Sequence, residues 1–499
     1  MSPLWIAGRI SGRVSGRPRL VAAAALALVS LAGLASAQHN VLVIVADDLG
    51  VDKLASYGVG SNPPSTPNLD ALAAGGIQFR NAFANPVCSP TRTTILTGRY
   101  GFRTGVGQIL SDGSDGPWHT EYSIPEVINL STLGLVSLGR FGKWHMGGPN
   151  NGGPFSPNFF SYDFFEGTYI GLDPLFTYYV WDELKNGVVT PKATYNTSEV
   201  VDDVLKWLSE PPQQVNPWYA HVSFNAPHSP YHAPPAELHS VNLDGAGSPN
   251  ANPLPYYNAM VEAMDTEIGR LLAGLGPALA NTNIIFVGDN GTPGEAMEPP
   301  FDHAKDKGTL FDGGIHVPLI VSGPAVQHRG AECDALVNTT DLWSTVIQLA
   351  GAKIHDVVPL TWVHDSVSIL PYLEDPTRPS IRQWVYSEFF GPNGQGVPFE
   401  SKSIGVAVFD GRYKLIRTFF QGTHIKDRMF DLKNDPFERR DLVLTSMKSP
   451  AVVQAYRDLV ALQESLKDGG FPGAQLTDTE PLSPGVKYKQ APGVAASAR

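Results

Sequence analysis

Val41-Leu42-Val43-Ile44-Val45-Ala46-Asp47-Asp48 is the stretch of sequence that decides the fold class. A continuous, largely β-branched apolar run is typical of a strand buried on both faces of a parallel sheet. Similar runs recur at residues 219–224, 283–287 and 317–321. Helical periodicity separates them, most clearly at residues 257–275. This alternation predicts an α/β fold in which helices flank a mainly parallel central sheet.

Polar residues follow several of the predicted strands, at the point where each strand ends. Asp47-Asp48 closes the first run, Asp289-Asn290 closes the run at 283–287, and His228 comes shortly after the run at 219–224. In open α/β sheets, ligands bind outside the carboxyl ends of the strands. These residues therefore predict a binding or catalytic site at one end of the sheet.

The sequence pattern changes after about residue 380. Short apolar runs at 384–390, 405–409, 412–418 and 429–432 are joined by turns such as Asp410-Gly411, and a helical pattern follows at 450–466. Short strands joined by tight turns favour an antiparallel sheet. We therefore predict a large catalytic domain at 38–380, a smaller C-terminal α+β domain at 381–470 and an extended tail at 471–499.

The first 37 residues have the pattern of a signal peptide. They contain four arginines and no acidic residue, then an apolar stretch at 20–34, and end in Ala35-Ser36-Ala37. A signal peptidase cuts after small residues in this arrangement. We expect cleavage after Ala37, export to a periplasm or out of the cell, and no stable membrane insertion afterwards. An uncleaved anchor or an organelle transit peptide is the alternative.

The composition excludes several classes of protein. The chain has 499 residues, a net charge of −12 and two cysteines, Cys88 and Cys333. Two cysteines cannot build a disulfide-rich scaffold or a cysteine-based zinc module. An acidic balance without a basic run after the signal argues against nucleic acid as a partner.

Residues 88–92, Cys-Ser-Pro-Thr-Arg, form the first segment that carries chemistry. Pro90 suits the first turn of a helix, so Cys88 is predicted at a helix N-terminus with Arg92 one turn further on the same face. Free backbone N–H groups and a guanidinium together favour an anion. For such a segment in isolation, a buried cysteine, or one paired with Cys333, is the simpler interpretation.

Asp47, Asp48, Asp289 and Asn290 form a predicted metal-binding set. Three carboxylates and one amide oxygen are hard ligands, which suit Ca²⁺ or Mg²⁺ rather than Zn²⁺. Each pair alone is more often a loop or a helix cap. Two pairs that each end an apolar strand favour the metal site.

Four further side chains are candidates for contact with a ligand. Lys143 and His145 lie two apart, so on an extended segment both point the same way. His228 follows a predicted strand, and Lys307 lies in a Lys-Gly-Thr segment. Taken singly, each is better explained as an exposed lysine or a hydrogen-bonded histidine.

Taken together, these motifs resemble the formylglycine-dependent, arylsulfatase-like sulfatase family of the alkaline phosphatase superfamily. Residues 86–98, PVCSPTRTTILTG, fit the family signature at every position. The other matches follow the family's order and span roughly residues 40–440. They lie at 66–73, 142–145, 225–228, 289–291, 307–309 and 410–415.

The resemblance implies a sulfuric ester hydrolase that acts on aryl or carbohydrate sulfates. In this family a formylglycine-generating enzyme oxidises the motif cysteine, here Cys88, to an aldehyde that hydrates to a gem-diol. One hydroxyl attacks sulfur in line and expels the alcohol, which leaves a covalent sulfate hemiester. The second hydroxyl then loses its proton, and the hemiester collapses to the aldehyde and releases sulfate by C–O cleavage.

The resemblance also implies the metal ligands. Asp47, Asp48, Asp289 and Asn290 are implied to hold a divalent cation, usually Ca²⁺, with Mg²⁺ as the alternative. Asp289 is also the implied base that activates the attacking hydroxyl.

The other implied roles belong to cationic and titratable side chains. Arg92 and Lys143 are implied to stabilise the diol and the metal site, and His145 to take the proton in the elimination step. His228 and Lys307 are implied to bind the sulfate group and to assist departure of the alcohol oxygen.

Two positions depart from the family's usual pattern, and two other functions stay open. His316 stands where an arginine is frequent, and Gly288 where a serine is common.

The first alternative function is hydrolysis of phosphomonoesters, phosphodiesters or phosphonates on the same fold. A zinc phosphatase of that fold needs more His and Asp ligands and a Ser or Thr nucleophile, so one hard-metal set beside a cysteine favours sulfate. The second is a non-catalytic binding protein that retains the fold, with Cys88 unmodified or paired with Cys333.

Overall fold

The predicted strand at residues 41–46 forms the centre of the structure. In the computed structural model, which describes residues 39–111, 113–172, 176–394, 401–445 and 449–467, it extends over Asn40–Ala46 as β1. Numbered in chain order, β7 (Trp218–Ser223) and β8 (Thr282–Gly288) pair in parallel with β1 on its two sides. The odd-numbered residues of β1 pack into one core and the even-numbered residues into another. The run is continuously apolar because both faces of β1 are buried.

Ten strands form the large sheet. Besides β1, β7 and β8, the sheet contains seven strands: β2 (Gly76–Phe83), β3 (Ser137–Gly142), β4 (Phe164–Gly167), β5 (Trp181–Lys185), β6 (Val188–Lys192), β9 (Leu319–Ser322) and β10 (Ala331–Asn338). Their order is β10-β2-β9-β8-β1-β7-β3-β4-β5-β6. The five strands from β8 to β4 are mutually parallel, whereas β9 runs antiparallel to both its neighbours. The run at 317–321 thus contains a strand, but not a parallel one.

Helices cover both faces of this sheet. Helices α1 (Pro67–Ala74), α6 (Asn196–Ser209) and α8 (Pro253–Gly274) pack on one face, and α2 (Cys88–Thr97), α4 (Ile124–Ser131) and α10 (Leu342–Leu349) pack on the other. The shorter helices are α3 (Gly101–Thr104), α5 (Ser156–Phe159), α7 (Pro211–Val215), α9 (Asp312–Ile315), α11 (Ile354–Val357), α12 (Leu370–Glu374) and α13 (Leu442–Thr445). The predicted α/β class with helices flanking a mainly parallel sheet is confirmed.

A second, antiparallel sheet follows in the C-terminal part, as predicted. Its strands β11 (Val385–Gly391), β12 (Ser403–Phe409), β13 (Tyr413–Phe420) and β14 (Thr423–Asp431) pair in chain order. One face packs against α14 (Pro450–Lys467), and the other packs against Phe83 and Leu336 of the large sheet. The domain boundary near residue 380 stays a prediction.

Two sequence-based predictions lie outside the described residues. These are the signal peptide at 1–37 and the tail at 471–499. Within the described ranges, no helix combines the length and the apolar character that a membrane crossing requires.

Candidate active site

The carboxyl ends of β1 and β8 lie side by side and carry the four predicted oxygen ligands. Asp47 and Asp48 follow β1, and Asp289 and Asn290 follow β8. The Asp48 N–H donates to Asp289 Oδ1 at 3.0 Å, and Asn290 Nδ2 donates to Asp48 Oδ1 at 2.8 Å. All four side chains are buried. The fold thus brings together residues that lie more than 240 positions apart in the chain.

A tyrosine of α8 holds Asp48 in an uncommon backbone conformation. Asp48 has a φ of 71°, in the left-handed region that aspartate tolerates better than most residues. Tyr257 Oη donates to the Asp48 carbonyl oxygen at 2.6 Å. Burial raises the pKa of Tyr257 well above its usual value, which keeps the phenol a donor. The sequence predicts Tyr257 only as a helical residue, so this contact is a finding of the structure.

Cys88 begins α2, as the position of Pro90 predicts. Its Sγ is fully buried and lies 3.2 Å from Asp47 Oδ1 and 3.7 Å from Lys143 Nζ. Burial, together with Asp47, raises the pKa of the Cys88 thiol well above its ordinary value. An unmodified Cys88 therefore stays protonated at neutral pH and is a poor nucleophile. Both cysteines are free thiols, so the alternative pairing with Cys333 is wrong.

Arg92 and Lys143 neutralise the buried carboxylates. Arg92 Nε and Nη2 donate to Asp289 Oδ2 at 3.0 and 2.8 Å, and Lys143 Nζ donates to Asp47 Oδ2 at 2.5 Å. Burial alone raises the pKa of Asp47, but Lys143, His228 and Arg92 outweigh it and hold that pKa well below the usual range. At Asp289, burial and the neighbouring Asp47 outweigh Arg92 and raise the pKa. Asp47 is therefore the firmly ionised member of the pair.

A second, wholly buried guanidinium lies beneath this site. Arg140 of β3 donates from Nη2 to the Lys143 carbonyl oxygen at 2.8 Å, where Arg92 Nη1 also donates at 3.2 Å. Burial lowers the pKa of Arg140 to about 10. The sequence analysis missed Arg140, because a charged residue inside a short strand has no periodic signal that marks its contact with a neighbouring loop.

The ring of His145 is oriented by the loop at residue 110. His145 Nε2 lies 3.1 Å from the Leu110 carbonyl oxygen, so Nε2 carries the proton and Nδ1 holds the lone pair. Nδ1 is buried and has no hydrogen-bond partner in the part of the chain that is described. Burial and the cations Lys143 and Arg92 lower the pKa of His145 well below its ordinary value. The ring is therefore neutral and free to accept a proton at Nδ1.

His228 and Lys307 approach Asp48 from the mouth of the site. Lys307 Nζ donates to Asp48 Oδ2 at 2.6 Å, and His228 Nε2 lies 3.7 Å from the same oxygen. His228 Nδ1 lies 2.7 Å from the Ser229 carbonyl oxygen, so Nδ1 carries a proton and Nε2 faces the site. Both side chains are partly exposed, at 21% for His228 and 17% for Lys307, whereas the ligands beneath them are buried. They are the site groups that a substrate meets first.

Aromatic residues border the site next to His228. Tyr178 Oη donates to the carbonyl oxygens of Asn225 and His228, and its ring stacks on His232 at 4.2 Å between centroids. Tyr179 is 39% exposed beside them. These tyrosines belong to the segment 167–181, of which residues 173–175 lie outside the described structure.

His316, one of the two departures from the family pattern, lies away from the catalytic groups. Its Nδ1 is 2.9 Å from Asp312 Oδ2 and its Nε2 is 2.8 Å from the Arg80 carbonyl oxygen. Both ring nitrogens face acceptors, so the ring meets its two partners fully only as a double donor. His316 therefore serves local packing between the two sheets, where its ring also stacks on Phe83.

Two of the four predicted oxygen ligands, Asp47 and Asp48, lie in a cluster of side chains that could hold a metal ion. Ligand atoms of Asp47, Asp48, Cys88 and His228 all lie within 4.8 Å of one another. Asn290 Oδ1 is buried and lacks a hydrogen-bond partner among the described residues. An orphaned buried oxygen beside carboxylates is the kind of donor that Ca²⁺ or Mg²⁺ satisfies.

This arrangement suits the hydrolysis of an anionic ester. A reactive group at position 88 would lie among cationic side chains that can bind negative oxygens, with a neutral histidine base close by. The chain belongs to the sulfatase family, because the family model named Sulfatase matches residues 39–352. A second model, N-sulphoglucosamine sulphohydrolase, C-terminal, matches residues 302–465. The family resemblance predicted from the motifs is confirmed.

Individual relatives agree with this assignment. Arylsulfatase A from Bos taurus is 29% identical over 496 residues, which cover 88% of this chain and 90% of that protein. Arylsulfatase J from Mus musculus is 27% identical over 349 residues, 65% of this chain, and the match spans only 54% of that relative. The crystal structure of Ps i-CgsB in complex with k-i-k-neocarrahexaose has a TM-score of 0.68 and 25% identity, and the match covers 87% of this chain and 94% of that one.

Proposed function

We propose that this chain hydrolyses aryl or carbohydrate sulfate monoesters, with a formylglycine made from Cys88 as the nucleophile. The position of Cys88 carries the proposal: Sγ is buried at the start of α2, 3.2 Å from Asp47 and 3.7 Å from Lys143 Nζ. A thiol at this place is protonated, since burial raises its pKa, and it would be a weak nucleophile. A hydrated aldehyde at the same atom position would not depend on thiolate formation.

The oxygen ligands are proposed to hold Ca²⁺, with Mg²⁺ as the alternative. A bound divalent cation supplies positive charge for the sulfate oxygens and lowers the pKa of a hydroxyl group that contacts it. Lys143 keeps Asp47 ionised through its 2.5 Å contact, and Arg92 fixes Asp289 through two donors. Asp289 is the proposed base for the attacking hydroxyl, since its raised pKa favours proton uptake.

Two histidines are proposed to act in different steps, His228 when the alcohol departs and His145 when sulfate is released. His145 takes the proton of the second hydroxyl at Nδ1, the nitrogen left with its lone pair by the contact of Nε2 with Leu110. His228 presents Nε2 to the site because Nδ1 faces the Ser229 carbonyl. With Lys307, which lies 2.6 Å from Asp48, the doubly protonated ring of His228 binds the sulfate group and donates its Nε2 proton to the departing alcohol oxygen.

The substrate class and the setting of the enzyme are proposals of the same kind. Relatives named arylsulfatase and a structural relative bound to a neocarrahexaose support both aryl and carbohydrate sulfates. A formylglycine-generating enzyme is the proposed partner during maturation. Export to a periplasm or out of the cell rests on the pattern of residues 1–37.

Mass spectrometry of the peptide that contains residue 88 tests the nucleophile. Conversion of cysteine to formylglycine lowers the mass of the peptide by about 18 Da. Cys88→Ala should lose at least about a thousandfold in kcat for sulfate release, as expected when a nucleophile is removed. Cys333→Ala is the matched control, since Cys333 is the other buried cysteine and should leave both the modification and the kcat unchanged. An unmodified Cys88 in fully active protein would refute the proposal.

Paired substrates test the reaction class against the alternative phosphoester or phosphonate hydrolase. An aryl sulfate and an aryl phosphate with the same phenol differ only in the group transferred. We expect the higher kcat/KM for the sulfate. A preference for the phosphate would reject sulfate as the substrate while leaving the formylglycine result untouched.

A further inference from the structure

Three acidic residues form a second cluster, at the far edge of the large sheet. Glu166 lies on β4, Glu183 on β5 and Asp203 on α6. One carboxylate oxygen of each lies within 4.8 Å of the other two. The residues are 4%, 4% and 6% exposed. We call Glu166, Glu183 and Asp203 the edge cluster.

Among the described residues, too few cationic groups pair with this cluster to balance its charge. Lys185 Nζ lies 2.9 Å from Glu166 Oε1, and Lys192 Nζ lies 2.9 Å from Glu183 Oε1. Lys192 is also shared with a fourth carboxylate, that of Glu199, at 2.6 Å. Four carboxylates therefore face two ammonium groups, which leaves two negative charges uncompensated if all are ionised.

Asp203 is the member of the edge cluster without a partner. Its Oδ2 is buried and has no hydrogen-bond partner among the described residues. Burial, together with Glu166 and Glu183, raises the pKa of Asp203 to about 8. A buried carboxylate oxygen that nothing satisfies is rare in folded proteins and indicates a missing ion, water or proton.

We propose that the edge cluster binds a divalent cation of the hard, oxygen-preferring kind, with Ca²⁺ as the best match. Carboxylate oxygens from three separate elements converge, and the deficit of two positive charges equals the charge of one such ion. The ligand set contains neither sulfur nor imidazole, so a soft transition metal is disfavoured. This site is distinct from the four ligands at the ends of β1 and β8 and does not depend on the proposed function.

The edge cluster joins two elements that lead directly to the catalytic residues. Thr168 follows β4 and donates from Oγ1 to Asn225 Oδ1 at 3.2 Å. Asn196 at the start of α6 accepts from Asn225 Nδ2 at 3.0 Å. Asn225 in turn precedes His228 by three residues. A cation at the edge cluster would therefore hold β4 and α6 together, and residues next to these two elements contact Asn225 in the loop that carries His228.

Counting bound calcium per chain tests the proposal. The purified full-length protein is freed of metal with a chelator and dialysed against radioactive Ca²⁺ at about 5 mM, above the affinity range of most protein calcium sites. Asp203→Asn should bind one Ca²⁺ per chain fewer than the parent. It should also lose part of the calcium-dependent increase in Tm. Both proteins keep the catalytic ligands, so the difference reports the edge cluster alone.

Asp202→Asn is the matched control. Asp202 neighbours Asp203 in the chain but is exposed and pairs with Arg270 at 2.6 Å, so it should bind as much calcium as the parent. If Asp203→Asn does not fold, Glu183→Gln gives the same readout through a second ligand. The proposal would be overturned if the parent and Asp203→Asn bound the same number of Ca²⁺ ions per chain and Asp203→Asn had the higher Tm in chelator. That result would mean that a proton on Asp203, and not a cation, neutralises the edge cluster.

Discussion

Tyr257→Phe removes one oxygen atom and tests whether α8 positions the proposed metal ligand Asp48. The lost bond joins Tyr257 Oη to the Asp48 carbonyl oxygen at 2.6 Å, and both residues are buried. Loss of a donor to a buried carbonyl costs about 1–3 kcal/mol. At about 1.4 kcal/mol per tenfold change, this corresponds to about a five- to 150-fold effect on an equilibrium.

We expect part of this cost to appear in calcium affinity. Asp48 is held at a φ of 71°, and without the tyrosine its loop can relax toward a more common conformation. Removing such an outer support of a metal ligand typically costs about 10- to 100-fold in affinity or activity. Titration of Ca²⁺ into chelator-treated enzyme, with sulfate release as the readout, should give a half-maximal concentration raised by about that factor.

Tyr57→Phe is the matched control for this experiment. Tyr57 Oη is also buried; it donates to the Leu319 carbonyl at 3.0 Å and accepts from the Leu319 N–H at 2.7 Å, away from the predicted site residues. This variant should lose at least as much free energy of unfolding and keep the half-maximal Ca²⁺ concentration of the parent. If both variants lose only free energy of unfolding and keep the half-maximal Ca²⁺ concentration of the parent, the hydrogen bond from Tyr257 to Asp48 does not position the Asp48 carboxylate. That result would refute the prediction.

Three further predictions concern buried cationic or titratable groups. Arg140→Met should raise Tm, because Arg140 is a buried ion with no carboxylate partner among the described residues, and such an ion is costly. The same variant should lower kcat/KM about tenfold or more, because the Lys143 carbonyl loses its 2.8 Å donor. A fall in both Tm and kcat/KM would contradict this prediction. Burial and neighbouring cations lower the pKa of His145, so its ring stays neutral as the pH falls, and the acid limb of kcat belongs to Asp289, whose pKa is raised. His145→Gln should therefore lower kcat without moving that acid limb, and a limb that moves in this variant would contradict the assignment. His316→Leu removes the hydrogen-bond donors that Asp312 and the Arg80 carbonyl receive from the ring. Denaturant unfolding should show a free energy of unfolding reduced by about 1–3 kcal/mol for each lost bond. Steady-state kinetics should show an unchanged kcat/KM.

The centre of the fold could be predicted because burial on both faces leaves a direct mark on the sequence. The run at 41–46 is apolar at every position, and the polar residues after it mark where the strand leaves the core. The direction of a strand leaves no such mark. The run at 317–321 looks like the others, yet β9 is antiparallel to β8.

The site residues were predictable where family motifs contain them and not elsewhere. Cys88, Arg92 and the oxygen ligands belong to short segments with a recognisable order. Tyr257 and Arg140 act through contacts that depend on three-dimensional packing, and 209 residues separate Tyr257 from Asp48. A tyrosine in a helix and an arginine in a strand are both common without any role in a site. Only the structure therefore reveals that Tyr257 and Arg140 contact the site residues.

If Cys88 is converted to formylglycine as proposed, its complete burial limits when the conversion can take place. In the folded chain Cys88 has 0% exposure and lies under carboxylates contributed by β1 and β8, so a modifying enzyme cannot reach it. The last of these carboxylates, Asp289, follows Cys88 by 201 residues (289 − 88). At synthesis rates of about 5–20 residues per second, that separation lasts about 10–40 s. Formylglycine formation would then compete with completion of the sheet, and a variant that folds faster around residue 88 would finish synthesis with a larger share of permanently unconverted Cys88.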